Sequence, residues 1–284
     1  MNRGLRSHGL SRIPHAHRPE NDVEMNNGET DAERCAGYGH TERPAAMMTT
    51  MNGDPVPETG PEARKTLQDE LDEVRADLIR LGALTTEAIT AGTQAFLDGD
   101  LTMAERVIAS DDVIDDLYHS IEDHIILILA TQSPVAADLR TVITMLRINH
   151  ELERDADLMV NVAKTTRRIY PHELDPKTRG IVDRMGVQAA NQTRLAIDAF
   201  ADRDPSWASA LADMDDAMDE LSKSLFRHSL TLGTNADEGT IVKAMQVALL
   251  ARHYERIADH AVTIAERVRF MVTGTHGGED HDQK

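Results

Sequence analysis

Acidic residues recur at one-turn spacing in two parts of this chain. The five-residue motif E-R-x-A-D occurs at Glu153–Asp157 and again at Glu255–Asp259. Residues four positions apart lie on one face of a helix, so each copy places two carboxylates side by side. Like charges at this spacing repel each other, so a cation is expected nearby. A bound metal ion could supply that charge, and so could the arginine of the motif.

A second acidic motif precedes each copy of the first. Asp111 and Asp115 form D-x-x-x-D, and Asp215 and Asp219 repeat the pattern. Two adjacent helices that carry such motifs can place four carboxylates around one point. The predicted metal ligands are Asp111, Asp115, Glu153 and Asp157 in the first copy, and Asp215, Asp219, Glu255 and Asp259 in the second.

Oxygen donors of this kind suit hard cations such as magnesium, manganese or iron. Zinc is a further candidate, with His260 as an added nitrogen ligand. A single motif could equally be a solvated acidic face, or could form salt bridges with Arg154 or Arg256. Recurrence of both motifs at matched positions favours the metal interpretation.

The matched motifs belong to a longer internal repeat. The segment that begins at Ala95 returns at Ala199, and the segment that begins at Asp111 returns at Asp215, both 104 positions later. The offset between Glu153 and Glu255 is 102 positions. A period of this length is too long for a solenoid repeat and predicts two similar domains.

The elements that carry the motifs are predicted to be long helices. Aromatic residues make up 3% of the chain, and apolar residues recur every three or four positions. Ser133-Pro134 and Asp175-Pro176 are typical helix starts, whereas Gly233 and Gly274 are typical helix ends. The pattern predicts an all-α fold of two tandem three-helix bundles related by a pseudo-twofold axis. The predicted boundaries are a disordered tail at 1–62, bundles at 63–171 and 172–274, and a frayed polar tail at 275–284.

Composition excludes several classes of protein. The net charge of −19 argues against a nucleic-acid partner, and the chain lacks an apolar run long enough for direct membrane insertion. The single cysteine permits no disulfide framework, which is consistent with a cytoplasmic location. The E-x-x-H ligand pattern of di-iron oxidases, a phosphate-binding P-loop and a G-x-S-x-G elbow are all absent, so the chain is not expected to be an enzyme.

The region from about Ala63 to Gly274 resembles the PhoU family, accessory regulators of high-affinity phosphate transport. The resemblance rests on the two E-R-x-A-D segments and on Pro134–Arg140, which is similar to the family's P-x-A-x-D-L-R opening of a third helix. The motifs depart from the family pattern in places. Asp155 stands where an apolar residue is usual, and Ala156 and Ala258 stand where glycine is common.

The resemblance implies a signalling adaptor on the cytoplasmic side of the membrane, peripheral to a phosphate ABC transporter. Its expected partners are the transporter's ATPase subunit, a sensor histidine kinase and a second copy of itself in a homodimer. It would keep the phosphate-starvation response off when phosphate is plentiful. The alternatives are a carboxylate-bridged metalloenzyme and a metal-binding structural protein.

Overall fold

The computed structural model describes residues 61–234 and 236–275, which form six helices without a strand in these ranges. The helices are α1 (Pro61–Asp98), α2 (Leu101–Gln132), α3 (Ala137–Ile169), α4 (Pro176–Asp202), α5 (Trp207–Gly233) and α6 (Glu238–Thr273). Helices α1 to α3 pack together as one bundle, and α4 to α6 as a second. The prediction of two tandem three-helix bundles is confirmed.

The predicted boundaries of the bundles, at 63–171 and 172–274, stay predictions. Helix α1 begins at Pro61, so residues 61 and 62, which the prediction assigned to the disordered tail, are helical. The rest of that tail and nearly all of the one predicted at 275–284 lie outside the described residues. Among the described helices, none has a stretch of the length and hydrophobicity that spanning a bilayer would require.

Capping side chains explain where α2 and α4 begin, and a glycine explains where α6 ends. The Asp100 carboxylate accepts a hydrogen bond from the Met103 amide, and Asp175 accepts bonds from the amides of Lys177 and Thr178. These acceptors satisfy amides that have no partner within the helix. Gly274 ends α6 with a φ of 77°, a conformation that glycine adopts without strain.

One of the predicted helix starts is wrong. Ser133 ends α2 in the left-handed conformation and does not start α3, which begins three residues after Pro134, at Ala137. Helix α5 ends at Gly233, as predicted, but Gly233 is its last helical residue with no positive φ, and Thr234 takes the C-cap position. This difference of one residue is within the usual variation of assigned helix ends.

A continuous apolar core runs through both bundles. On α2 the buried side chains of Ile114, Ile121, Ile125 and Ile128 follow the helical period. They join one cluster with buried residues of all the other helices. The two bundles therefore share a single interior.

The seam between the bundles is formed by repeat-equivalent helices. Helix α1 packs against α4, and α3 packs against α6, whereas α2 and α5 pack only within their own bundles in the described part of the chain. Each seam thus joins a helix to its own counterpart in the other repeat. This arrangement is the one that a pseudo-twofold axis produces.

Two glycines let α1 and α4 approach closely. A Cβ atom added at Gly82 would lie 2.6 Å from the side chain of Ile197, and one added at Gly186 would lie 2.3 Å from the side chain of Thr93. Gly186 follows Gly82 by 104 positions, and Ile197 follows Thr93 by the same number. The two contacts are therefore equivalent under the internal repeat.

Replacing Gly186 by Ala should destabilise the protein by about 1–3 kcal/mol, because the new methyl overlaps Thr93 in a packed interior. Thr93 cannot yield freely, since its hydroxyl bonds to the Ile89 carbonyl and lies 2.7 Å from the Tyr254 hydroxyl. The free energy of unfolding from urea titration measures the change.

Gly180 supplies the matched control on the same helix, because nothing lies within 4 Å of a Cβ atom added there. Its replacement by Ala should stabilise the protein by up to about 1 kcal/mol through helix propensity. If Gly186→Ala also stabilised the protein, the close approach of α1 and α4 would be wrong.

Candidate carboxylate sites

The second predicted site lies between α5 and α6. Burial, followed by the negative charges of Asp259 and Asp219, raises the pKa of Asp215 to about 6, with a smaller effect from Glu255. Burial and the charge of Glu255 also raise the pKa of Asp259. The structure therefore brings all four predicted carboxylates of the second repeat within electrostatic range of each other.

The first site lies between α2 and α3 and has the same design. Burial is the largest cause that raises the pKa of Asp111 to about 6. The negative charges of Asp115 and Asp157 add to this rise, and Glu153 contributes less. Burial and Asp157 also raise the pKa of Glu153. The two sites thus use equivalent residues on equivalent helix pairs.

Neighbouring side chains compensate the two sites differently. At the second site, Arg252 forms a hydrogen-bonded ion pair with Glu255, and the Ser222 hydroxyl donates to Glu255 at 3.2 Å. The Lys223 ammonium lies 3.9 Å from an oxygen of Asp219. At the first site, among the described residues, the ion pair of a predicted ligand joins His150 to Glu153 at 3.9 Å, and the charges of Lys164 and Arg154 lower the pKa values of Asp111 and Glu153 respectively. The second site therefore differs in having a closer ion pair at its edge.

The donors at both sites suit a hard cation in their chemistry and charge. Each site offers carboxylate oxygens alone, and the mutual repulsion of these groups would be relieved by a divalent ion. Asp215 also has a buried Oδ1 atom without a hydrogen-bond partner. In residues 61–234 and 236–275, however, no three His, Cys, Asp or Glu side chains are oriented to hold one ion together. The carboxylates converge, but coordination would require side-chain rotation.

His260 has a different role from the zinc ligand considered for it. Its Nδ1 atom lies 2.6 Å from Oδ1 of Asp155, and its Nε2 atom lies 3.7 Å from Oε2 of Glu151. Both ring nitrogens therefore face α3 and not the carboxylates of the second site. Asp155 is fully buried and His260 is 7% exposed, so this hydrogen bond lies inside the seam between the bundles.

Burial raises the pKa of the Asp155 carboxyl well above its usual range and lowers the pKa of the His260 imidazole. Both shifts favour the neutral forms, with one proton shared between Oδ1 and Nδ1. An unpaired acid at this depth would be costly, and the histidine reduces that cost by satisfying Oδ1, whereas Oδ2 of Asp155 is buried without a hydrogen-bond partner. The pair links the two E-R-x-A-D segments directly, because Asp155 lies within the first and His260 follows the second.

The sequence pattern singled out Asp155 as a departure but gave no partner for it. Counting by the repeat, Asp155 is equivalent to Ile257, and His260 is equivalent to Leu158, each 102 positions apart. Ile257 and Leu158 are both buried and apolar. Of the two repeat-equivalent pairs of positions between α3 and α6, one is therefore occupied by a polar pair and the other by an apolar pair. The polar pair can be recognised only from the packing of α3 on α6.

Family and homologue comparisons agree with this architecture. The family model described as the PhoU domain matches the chain twice, at residues 78–166 and 182–268. The PhoU homolog 1 of Mycobacterium leprae, a phosphate-specific transport system accessory protein, is 35% identical over 218 residues, which cover 76% of this chain and 97% of that protein. The PhoU homolog 2 of Mycobacterium tuberculosis is 35% identical over 212 residues, or 74% and 98% of the two chains.

Solved structures give the same result. PhoU from Pseudomonas aeruginosa superposes with a TM-score of 0.69 at 31% identity and covers 73% of this chain and 99% of its own. The phosphate transport system regulatory protein PhoU from Streptococcus pneumoniae superposes with a TM-score of 0.68 at 27% identity, over 74% and 98% of the chains. The repeated family match, the length of the aligned relatives and the shared fold establish that this chain belongs to the PhoU family.

Proposed function

We propose that this protein is a non-enzymatic accessory regulator of a phosphate-specific transport system. The observation that supports this role most strongly is that proteins of that description align with the chain over nearly their whole length. In this role it acts at the cytoplasmic face of the membrane and connects the transporter's ATPase subunit with a sensor histidine kinase. It keeps phosphate-starvation genes off when phosphate is plentiful.

The charge of the chain supports docking on basic protein surfaces. The net charge of −19 produces long-range attraction toward positively charged partners, which accelerates their encounter. Such attraction weakens with added salt as charges become screened. Basic cytoplasmic surfaces of the transporter or the kinase would therefore be complementary to this protein.

The two carboxylate sites are proposed to bind metal ions. Asp111, Asp115, Glu153 and Asp157 would hold the first, and Asp215, Asp219, Glu255 and Asp259 the second. Iron, manganese and magnesium fit the oxygen donors, whereas zinc is less suited because His260 is engaged by Asp155. A bound cation would neutralise the repulsion between α2 and α3, and between α5 and α6. It would thereby fix the surface that these helices present.

A homodimer is the proposed assembly of the chain. Symmetric dimers are the commonest form of soluble oligomer, and they use the same surface of both copies.

Adding Mn²⁺ or Fe²⁺ to the metal-free protein should raise its melting temperature by about 5–10 °C for each occupied site at 100 times the dissociation constant. Replacing Glu255 and Asp259 by Ala should remove the contribution of the second site and about half of the metal bound. Differential scanning calorimetry and elemental analysis measure the two effects.

The matched control replaces Asp69 and Glu73, two exposed carboxylates at the same spacing on α1. These substitutions should leave the metal effect intact, because the residues have no opposing acidic motif. A melting temperature insensitive to every divalent ion tested would contradict the metal proposal.

The metal effect should depend on pH with a defined sign. The folded-state pKa values of Asp111 and Asp215 are about 6, above the usual value of about 4. The folded state therefore binds these protons more tightly than the unfolded state, and the metal-free protein loses stability as pH rises from about 4 to about 6. Metal ions compete with the same protons, so the metal-induced rise in melting temperature should be largest above pH 6 and shrink below it.

Replacing Asp111 and Asp215 by Asn should flatten this pH dependence, as followed by calorimetry across that range. The exposed neighbours Asp112 and Asp213, changed to Asn, supply the control with the same loss of charge. A metal effect that grows toward acidic pH would refute the assignment of these two carboxylates.

Deleting the gene should leave phosphate-starvation genes expressed in phosphate-rich medium, as measured with a promoter fusion. Wild-type protein and the Asp69/Glu73 variant should restore repression, whereas the Glu255/Asp259 variant should restore it in part. Normal repression after deletion would reject the adaptor role, and a strain that also lacks any second copy of such a protein tests redundancy. Phosphatase and oxidase assays of the metal-loaded protein separate this role from the metalloenzyme alternative.

A further inference from the structure

An apolar surface remains uncovered at the α5–α6 end of the second bundle. Six large side chains there are between 41% and 60% exposed. We call this surface the tip patch, and its members are Phe226, Leu230, Ile241, Val242, Met245 and Leu249. Phe226, Leu230, Ile241 and Met245 also line a shallow groove of about 320 Å³ between the two helices.

The first bundle supplies an internal comparison. Counting 104 positions back along α5 and 102 along α6 gives the equivalents Glu122, Ile126, Leu139, Arg140, Ile143 and Arg147. Three of these six are charged, whereas all six members of the tip patch are apolar. The same place in the fold therefore carries charge in one repeat and none in the other, so the tip patch is not a requirement of the bundle itself.

The first half of α6 is apolar on both faces. Val247, Leu250 and Tyr254 face the core and are buried. Val242, Met245 and Leu249 lie on the opposite face at a spacing of three and four residues, which is the spacing of a helix-pairing seam. A helix with two apolar faces is expected to be covered on both.

We propose that the tip patch is the interface of the homodimer, formed by antiparallel packing of α6 against α6 of a second copy around Met245. This proposal rests on the homodimer in the proposed function and identifies its surface. A twofold axis at Met245 places Ile241 opposite the partner's Leu249, because the two positions are equally distant from Met245. The surface is therefore complementary to itself, as a symmetric dimer requires.

Charge at the two ends of the stripe favours the same arrangement. Glu238 precedes Met245 by seven positions and Arg252 follows it by seven, and both are exposed on the face of the tip patch. Antiparallel packing brings each Glu238 next to an Arg252 of the other copy, at both ends of the interface, where Arg252 also keeps its ion pair with Glu255 of its own chain. The patch exposes on the order of 600 Å² of apolar side chain, close to the roughly 800 Å² that each partner contributes to a standard interface.

The test introduces the first bundle's residues into the second. Phe226→Glu, Val242→Arg and Leu249→Arg together reproduce Glu122, Arg140 and Arg147, so the variant should fold and keep its helix content. Sedimentation velocity of the full chain should show a dimer for the wild type and a monomer for the variant, with dimer dissociation at least about 100-fold easier. Val187→Arg, a substitution of an exposed apolar residue on α4, should leave the dimer intact.

A charge exchange tests the orientation. Glu238→Arg and Arg252→Glu should each weaken the dimer, and the two together should restore it, because only an antiparallel pair brings these positions together. Failure of this rescue would overturn the antiparallel arrangement. A dimer that persists in the triple variant would overturn the tip patch as the interface, although the homodimer itself would stand.

A monomeric wild-type chain would overturn the proposal and leave the patch to a partner from the transport system. Sedimentation tests the dimer interface, and the promoter fusion tests regulation. A triple variant that is monomeric but still gives normal repression would support the tip patch as the interface, and it would show that the regulatory role does not depend on the dimer.

Discussion

The close approach of α1 to α4 and of α3 to α6 is the constraint on which the rest of the structure depends. Gly82 and Gly186 permit the first approach, and the Asp155–His260 hydrogen bond occupies the second. These four helices share one interior, so α2 and α5 are left on the outside with one face against their own bundle. Each carboxylate site is consequently assembled at the boundary between an inner and an outer helix, where it stays partly open to water and to ions.

Much of the fold could be predicted from the sequence because it is duplicated. One acidic motif is weak evidence, but its return with the same neighbours indicates a repeated domain, and helical periodicity defines the elements. The local signal at Ser133-Pro134 was misleading, because Ser followed by Pro is typical of a helix start whereas Ser133 here ends α2. The eight candidate metal ligands could be proposed from spacing alone, since residues at i and i+4 share a face in any helix.

What spacing could not supply was the contact between distant helices. Asp155 and His260 are separated by 105 positions and belong to different repeats, and no periodicity connects them. Their pairing follows from the particular rotation of α3 and α6 about their axes. The unequal surroundings of the two sites likewise depend on residues such as Ser222 and Arg252, whose importance is visible only where they meet Glu255.

The single Asp155–His260 pair makes the two halves of this molecule non-interchangeable. If two copies of the first half packed together through the same seam, each Asp155 would face Leu158 of the other copy. Two copies of the second half would set His260 against Ile257. In either case two buried polar groups would lack partners, whereas pairing of unlike halves satisfies both. The two repeats are therefore distinguishable at the seam, although they share one fold. Separated halves would associate as a specific heterodimer in preference to two symmetric homodimers.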